Sequence, residues 1–287
     1  MGWDDVVAAV VSVMTLFLLI AMLMKYPIHI QTQPQPQVPA MPNPAEVSDE
    51  AAGIMYNGPP TYALAGYYCV YAANVLNNGW LVNGTYQPNA TAYHPPGYTV
   101  QLNAGLSNGL WLQDVYGGAY ESQEVITNNG EYTSTKIEVE EQVWNGQDAL
   151  STIAGPPADD CGWLVIAIGN GTAYFGYSGD GVNINWYASY PVGNATIESS
   201  YMTNIVIAGP GNYAGVNFTK LYAVLALYYW NGTTWAPAPV AIEGGGTGEF
   251  VVNAWVYMSN NEAVVSWPMQ VNASIAIPSV KPPSITP

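Results

Sequence analysis

The chain has 287 residues, 49% of them hydrophobic and only 8% charged, about a third of the charged share of an ordinary soluble domain, so it is not a disordered polyelectrolyte. Four lysines (Lys25, Lys136, Lys220 and Lys281) and no arginine oppose 20 carboxylates, a formal charge of −16 that excludes binding to a phosphate backbone and with it nucleic acid as a partner. With two histidines and two cysteines the chain lacks the ligands of a zinc or iron–sulfur cluster, and no cofactor or metal is expected.

Residues 6–24 form a run of 19 residues without a charge, which as a helix would extend about 28 Å, one membrane crossing. A signal peptide is the rival reading. Trp3-Asp4-Asp5 stands where a basic start is usual, however, and no small-x-small cleavage site follows. Residues 1–25 are therefore expected to be a retained transmembrane anchor, which makes the membrane a partner. Lys25 alone would place the following domain in the cytoplasm, but the sequons described below argue for the outside. Residues 26–60 contain Gln33-Pro34-Gln35-Pro36-Gln37 and then Pro39, Pro42, Pro44, Pro59 and Pro60. That composition cannot form a core; it favours an extended polyproline II stalk, or a segment laid along a neighbouring subunit.

From residue 61 the texture changes to short runs rich in Tyr, Val, Ile, Trp and Thr, broken by Asn-Gly, Gly-Asn or Pro-Gly. Strands are predicted at 98–103, 110–116, 135–143, 163–168, 173–177, 202–208, 221–230, 250–258 and 262–267, with turns at Asn170-Gly171, Asp180-Gly181 and Asn231-Gly232. The fold class expected over 61–272 is all-β, an antiparallel β-sandwich or open barrel, followed by a Pro-rich tail at 273–287. Gly244-Gly245-Gly246 lacks the following lysine and helix of a phosphate-binding loop.

Seven Asn-x-Ser/Thr sequons, at Asn83, Asn89, Asn170, Asn194, Asn217, Asn231 and Asn272, mark surface acceptors if the protein is exported. An Asn- and Thr-rich β-protein with incidental matches is the plainer alternative. Cys69 and Cys161 are the two cysteines. In an extracellular setting one bridge between them is expected, contributing about 4 kcal/mol; two buried free thiols are the alternative.

At neutral pH the carboxylates would repel one another with almost no lysine to offset them, whereas near pH 2–3 most are protonated. The composition suits an acidic exterior, and the carboxylates are too sparse for a halophilic surface. His29 lies in the stalk and His94 in a His-Pro-Pro-Gly context, so a Ser/His/Asp or Cys/His arrangement is not expected. What remains for acid–base chemistry is carboxylates and amides, the equipment of acid peptidases.

Five short blocks carry a resemblance. Val100-Gln101-Leu102-Asn103-Ala104, Leu110-Trp111-Leu112-Gln113-Asp114-Val115, Gln142-Val143-Trp144-Asn145, Tyr174-Phe175-Gly176-Tyr177-Ser178 and Leu227-Tyr228-Tyr229-Trp230-Asn231-Gly232 resemble, in order, segments of the thermopsin family of acid endopeptidases of thermoacidophilic archaea. The resemblance implies an all-β secreted or surface enzyme that works in acid on polypeptide substrates without a cofactor. It offers Gln113 and Glu249 as a catalytic pair, as in the glutamic acid peptidases, with Glu249 as general base and then acid, and Gln113 polarising the carbonyl. Asp114 stands where the family has asparagine and would either strengthen an acidic dyad or mark a lost site. The segment 239–246 also departs from the family pattern, beside Glu249. Each residue has a plain structural reading too: Gln113 as a polar position on a half-buried strand, Glu249 as a solvated strand start.

The sequence therefore leaves two main expectations. One is a membrane-anchored, surface-exposed, thermopsin-like acid endopeptidase. The other is a non-catalytic structural protein, such as a virion, S-layer or filament subunit, whose 10 Trp and 22 Tyr serve packing between neighbouring subunits. A third reading, a carbohydrate-binding module, draws on the same aromatics, although no spacing singles out a platform.

Overall fold

The computed structural model describes residues 44–89, 96–117, 137–244, 248–269 and 281–284, and the backbone of 125–126 and 132–133. The expected anchor, the stalk up to residue 43, His29, His94 and Asn272 lie outside the described residues. Among the described residues no helix is long and apolar enough to cross a membrane, and the regular structure is all strand.

Among the described residues two large sheets, antiparallel but for one short pairing, hold nearly all of the strands. The first runs β1 (Ala45–Val47), β19 (Ala254–Ser259), β20 (Glu262–Trp267), β15 (Gly215–Trp230), β3 (Ala63–Val82), β11 (Cys161–Gly169), β12 (Thr172–Ser178) and β13 (Asn185–Pro191). Three short strands extend it: β16 (Trp235–Pro237) and β18 (Phe250–Val251) beside β15, the latter in parallel, and β4 (Thr85–Pro88) beside β3. The second runs β10 (Asp148–Pro157), β9 (Glu138–Asn145), β6 (Leu110–Tyr116), β5 (Thr99–Gly105), β14 (Asn204–Ala208), β2 (Ala52–Tyr56) and β17 (Val240–Gly244). A separate two-residue pair joins β7 (Val125–Ile126) to β8 (Tyr132–Thr133).

Period-2 alternation explains how the sheets meet. On the second sheet Ile54, Val100, Leu102, Leu112, Ile205 and Ile207 point one way, and on the first Leu64, Leu164, Ile166, Leu225 and Val265 point back at them; all belong to one buried cluster. Each such aliphatic side chain removed from water contributes about 1.5–3 kcal/mol. The outer face of the first sheet is also apolar. Ala65, Trp163 and Val165 are covered by Tyr67, Ile184, Tyr228 and Trp235, while Val224, Tyr257 and Val264 pack with Tyr67, Tyr222 and Trp255. Much of the aromatic content is thus used within the chain.

Two expected boundaries are corrected. Residues 45–56 belong to the sheets and not to a stalk reaching Pro60: β2 lies between β14 and β17, because Ala51-Ala52-Gly53-Ile54-Met55-Tyr56 is an apolar run that the flanking prolines obscure. At the other end Pro283 is buried, and its carbonyl accepts the Trp235 indole N–H at 2.7 Å, so part of 273–287 lies against the domain. The predicted 250–258 strand is split between β18 and β19.

Candidate functional site

Two of the three candidate residues, Gln113 and Asp114, lie on β6, held between β5 and β9. Its alternation sends Leu112, Asp114 and Tyr116 toward the first sheet and Trp111, Gln113 and Val115 away from it. Asp114 and Gln113 therefore act on opposite faces.

On the inner face Asp114 stands directly opposite Glu141 of β9, and both residues are fully buried. Asp114 Oδ1 accepts the Tyr187 hydroxyl at 2.7 Å and Oδ2 accepts the Val165 backbone N–H at 3.1 Å. Glu141 Oε2 accepts the Ser151 hydroxyl at 3.0 Å, while Oε1 is buried without a hydrogen-bond partner. Burial drives the Asp114 carboxyl well above the usual carboxylate range; the Tyr187 and Val165 hydrogen bonds oppose this, and the neighbouring Glu141 charge adds to it. Glu141 is raised as well, by burial first, against the Ser151 hydroxyl. The two described lysines, Lys220 and Lys281, are both exposed.

On the outer face lies a row of amides that bond to one another. Gln113 Nε2 donates to Asn103 Oδ1 at 2.9 Å and to Gln101 Oε1 at 3.1 Å; Asn103 Nδ2 donates to Asn204 Oδ1 at 2.8 Å. Gln101 Nε2 reaches the Thr99 hydroxyl, which donates to the Gly209 carbonyl. Gln113 and Gln101 are each 3% exposed and Asn103 and Asn204 fully buried. Beside this row Trp144 Nε1 donates to Gln142 Oε1, Gln142 Nε2 donates to Glu140 Oε1, and the Trp111 and Trp144 rings lie 6.2 Å apart.

Glu249 is elsewhere. It precedes β18 and lines an open cleft of about 530 Å³ with Asp49, Glu50, Trp80, Leu81, Asn212, Tyr213, Gly248 and Phe250. Backbone bonds from Asp49 N to Val251 O and from Val251 N to Glu50 O, each 2.9 Å, bring the two acidic segments together. Gln113 and its partners are absent from this cleft, and the Gln113 side chain points away from the sheet that carries β18. The expected Gln113–Glu249 pair is not assembled: Gln113 is bonded to Asn103 and Gln101 on the second sheet, and even the inward positions of its strand face Glu141, Tyr187 and Val165 and not the Glu249 cleft. Asp114 does face another acidic residue, but that residue is Glu141, which sequence reasoning missed. Its signal was present as a carboxylate in the apolar phase of 138–145, between Val139 and Val143.

Cys69 and Cys161 are opposite each other across β3 and β11, and their sulfurs are bridged. Asn83, Asn89, Asn170, Asn194 and Asn231 are exposed and Asn217 is half-buried on β15. Asn83, Asn89 and Asn170 have φ of 53°, 58° and 52°, the left-handed turn conformation that Asn tolerates. Among the described residues no group of three His, Cys, Asp or Glu could hold a metal.

No family model matches the chain, and no curated protein matches it in sequence. The thermopsin-like reading rests on the five blocks, three of which fall on β5, β6 and β9. These strands are neighbours in one sheet, and their outward side chains include the amide row and its two indoles, with Val115 and Glu140 beside them.

Proposed function

We propose that the chain is a non-catalytic structural protein of an acidic exterior, a two-sheet sandwich displayed at a cell or virion surface and tied to a membrane by residues 1–25. The acidic setting rests on the Asp114–Glu141 pair between the sheets, and the structural role on the amide row, in which Gln113 is buried with its amide already bonded to Asn103 and Gln101. Two adjacent buried carboxyls without a described cation beside them cannot both be charged at low cost, and in acid both are neutral. The scarcity of lysine and the seven sequons support the same setting. The test is incubation of the full chain, in detergent, with denatured protein at pH 3 and elevated temperature. The reading expects no cleavage; release of peptides above a buffer control would overturn it.

A second reading, a surface acid endopeptidase acting on polypeptides, is favoured by one observation: three of the thermopsin-like blocks share the outer face of the second sheet. On that face Gln113 and Glu140 lie on neighbouring strands, β6 and β9. Glu140 would take the role expected of Glu249, activating water and then protonating the leaving amine, with Gln113 stabilising the oxyanion. In the same assay this reading expects cleavage that Glu140→Gln abolishes and Glu249→Gln leaves intact.

A further inference from the structure

The cleft beside Glu249 has a composition that neither reading uses. Trp80, at the end of β3, is 40% exposed, and Tyr213, in the loop before β15, is 61% exposed. Large rings left in water cost free energy, yet both are held in place. The Trp80 indole N–H donates to the Asn212 carbonyl at 3.3 Å, which fixes the ring. Tyr213 is pressed against Gly248, where a Cβ would meet its ring carbons at 2.7 and 2.8 Å. Asn212 and Tyr213 are consecutive non-glycine residues with φ of 51° and 58°, a backbone conformation L-residues rarely adopt and one that recurs at ligand sites. The turn presents the Tyr213 ring outward. Asp49, Glu50 and Glu249 stand along the same cleft.

We infer that this cleft binds carbohydrate, with the faces of Trp80 and Tyr213 stacking on sugar rings and the carboxyl groups of Asp49, Glu50 and Glu249 accepting sugar hydroxyls. The volume of about 530 Å³ lies within the range of about 300–1,000 Å³ usual for small-ligand sites. A cationic ligand is the competing occupant. Asp49 and Glu50 are exposed, however, and exposed charges gain little from ion pairing at ordinary salt. Stacking and hydroxyl hydrogen bonding do not depend on that charge. The inference is independent of whether the outer face of the second sheet is catalytic.

The experiment titrates the full chain, in detergent, with chitohexaose, cellohexaose and a linear mannohexaose, and separately with spermidine, in low and high salt. Binding is followed by calorimetry and by Trp fluorescence. At least one saccharide is expected to bind in both salts, and Trp80→Ala and Tyr213→Ala are each expected to weaken it at least about tenfold. Both side chains are partly exposed, so unfolding temperatures should stay near wild type. Gly248→Ala, whose Cβ would crowd the Tyr213 ring at a backbone φ of 82° that also strains an alanine, should weaken binding as well. Three results would each overturn the inference: no saccharide binding, saccharide binding unchanged in both aromatic variants, or binding of spermidine alone that high salt removes.

Discussion

Asp114 illustrates how one side chain can bias a fold toward acid. The residue has two hydrogen-bond donors aimed at it, the Tyr187 hydroxyl and the Val165 amide, and a second carboxyl opposite. Asp114→Asn keeps one carbonyl acceptor and removes the charge, whereas Asp114→Ala leaves both donors buried and unpaired, at about 1–3 kcal/mol each. Denaturant unfolding at pH 3 should therefore rank wild type and Asp114→Asn close together with Asp114→Ala well below; an alanine variant as stable as the asparagine variant would remove Asp114 from the account. Gln113 ties neighbouring side chains of the second sheet together. Its amide is a donor to two enclosed acceptors, so Gln113→Leu should cost about 1–3 kcal/mol of stability, read from the shift in denaturation midpoint.

Among the strands, one covalent link and the chemistry of the sheet edges limit how the sheets can rearrange. Cys69 and Cys161 are 92 residues apart in sequence, and closing a loop of that size stabilises a fold by about 4–5 kcal/mol in the chain-entropy account. Cys69→Ala with Cys161→Ala should lower the unfolding free energy by that order; an unchanged value would mean that the central β3–β11 pairing needs no covalent support. The exposed edge strand β10 contains Pro156 and Pro157 and β13 ends in Pro191, residues that cannot donate to an added strand. Several strands were legible in the sequence because they alternate or sit between turn residues, as at 110–116 and 262–267. β3 was not: Ala63–Val82 is rich in Ala, Gly and Asn and alternates poorly, since parts of it are buried on both faces. β2 was hidden by its proline flanks. At the site, the sequence displayed Gln113 and Asp114 as neighbours but not the face each would take, because phase along a strand is fixed by what packs on either side. Glu141 was passed over for the same reason, its meaning depending on a cross-strand partner 27 positions away.

For the whole molecule the consequence is a stability that depends on pH. Asp114 and Glu141 both have raised folded-state pKa values, so the folded chain binds these protons more tightly than the unfolded one. Their stabilising contribution is complete below the unfolded value of about 4 and is lost as pH rises toward the folded values, at up to about 1.4 kcal/mol per pH unit for each group. Asp180 runs the other way: the Asn183 and Val182 amides hold its carboxyl below the usual range, but it is a surface group and screened. Glu262, raised by burial, adds to the acid preference. Taken with 20 carboxylates against four lysines, the balance favours a scaffold that is firmest in acid and loosens toward neutrality. The most direct measurement is the unfolding free energy of the full chain in detergent from pH 3 to pH 7, for wild type and for the Asp114→Asn, Glu141→Gln double variant. Wild type is expected to lose stability as pH rises above about 4 and the double variant to lose distinctly less; wild type gaining stability over that range, or a double variant with the same slope as wild type, would refute the role of the buried pair.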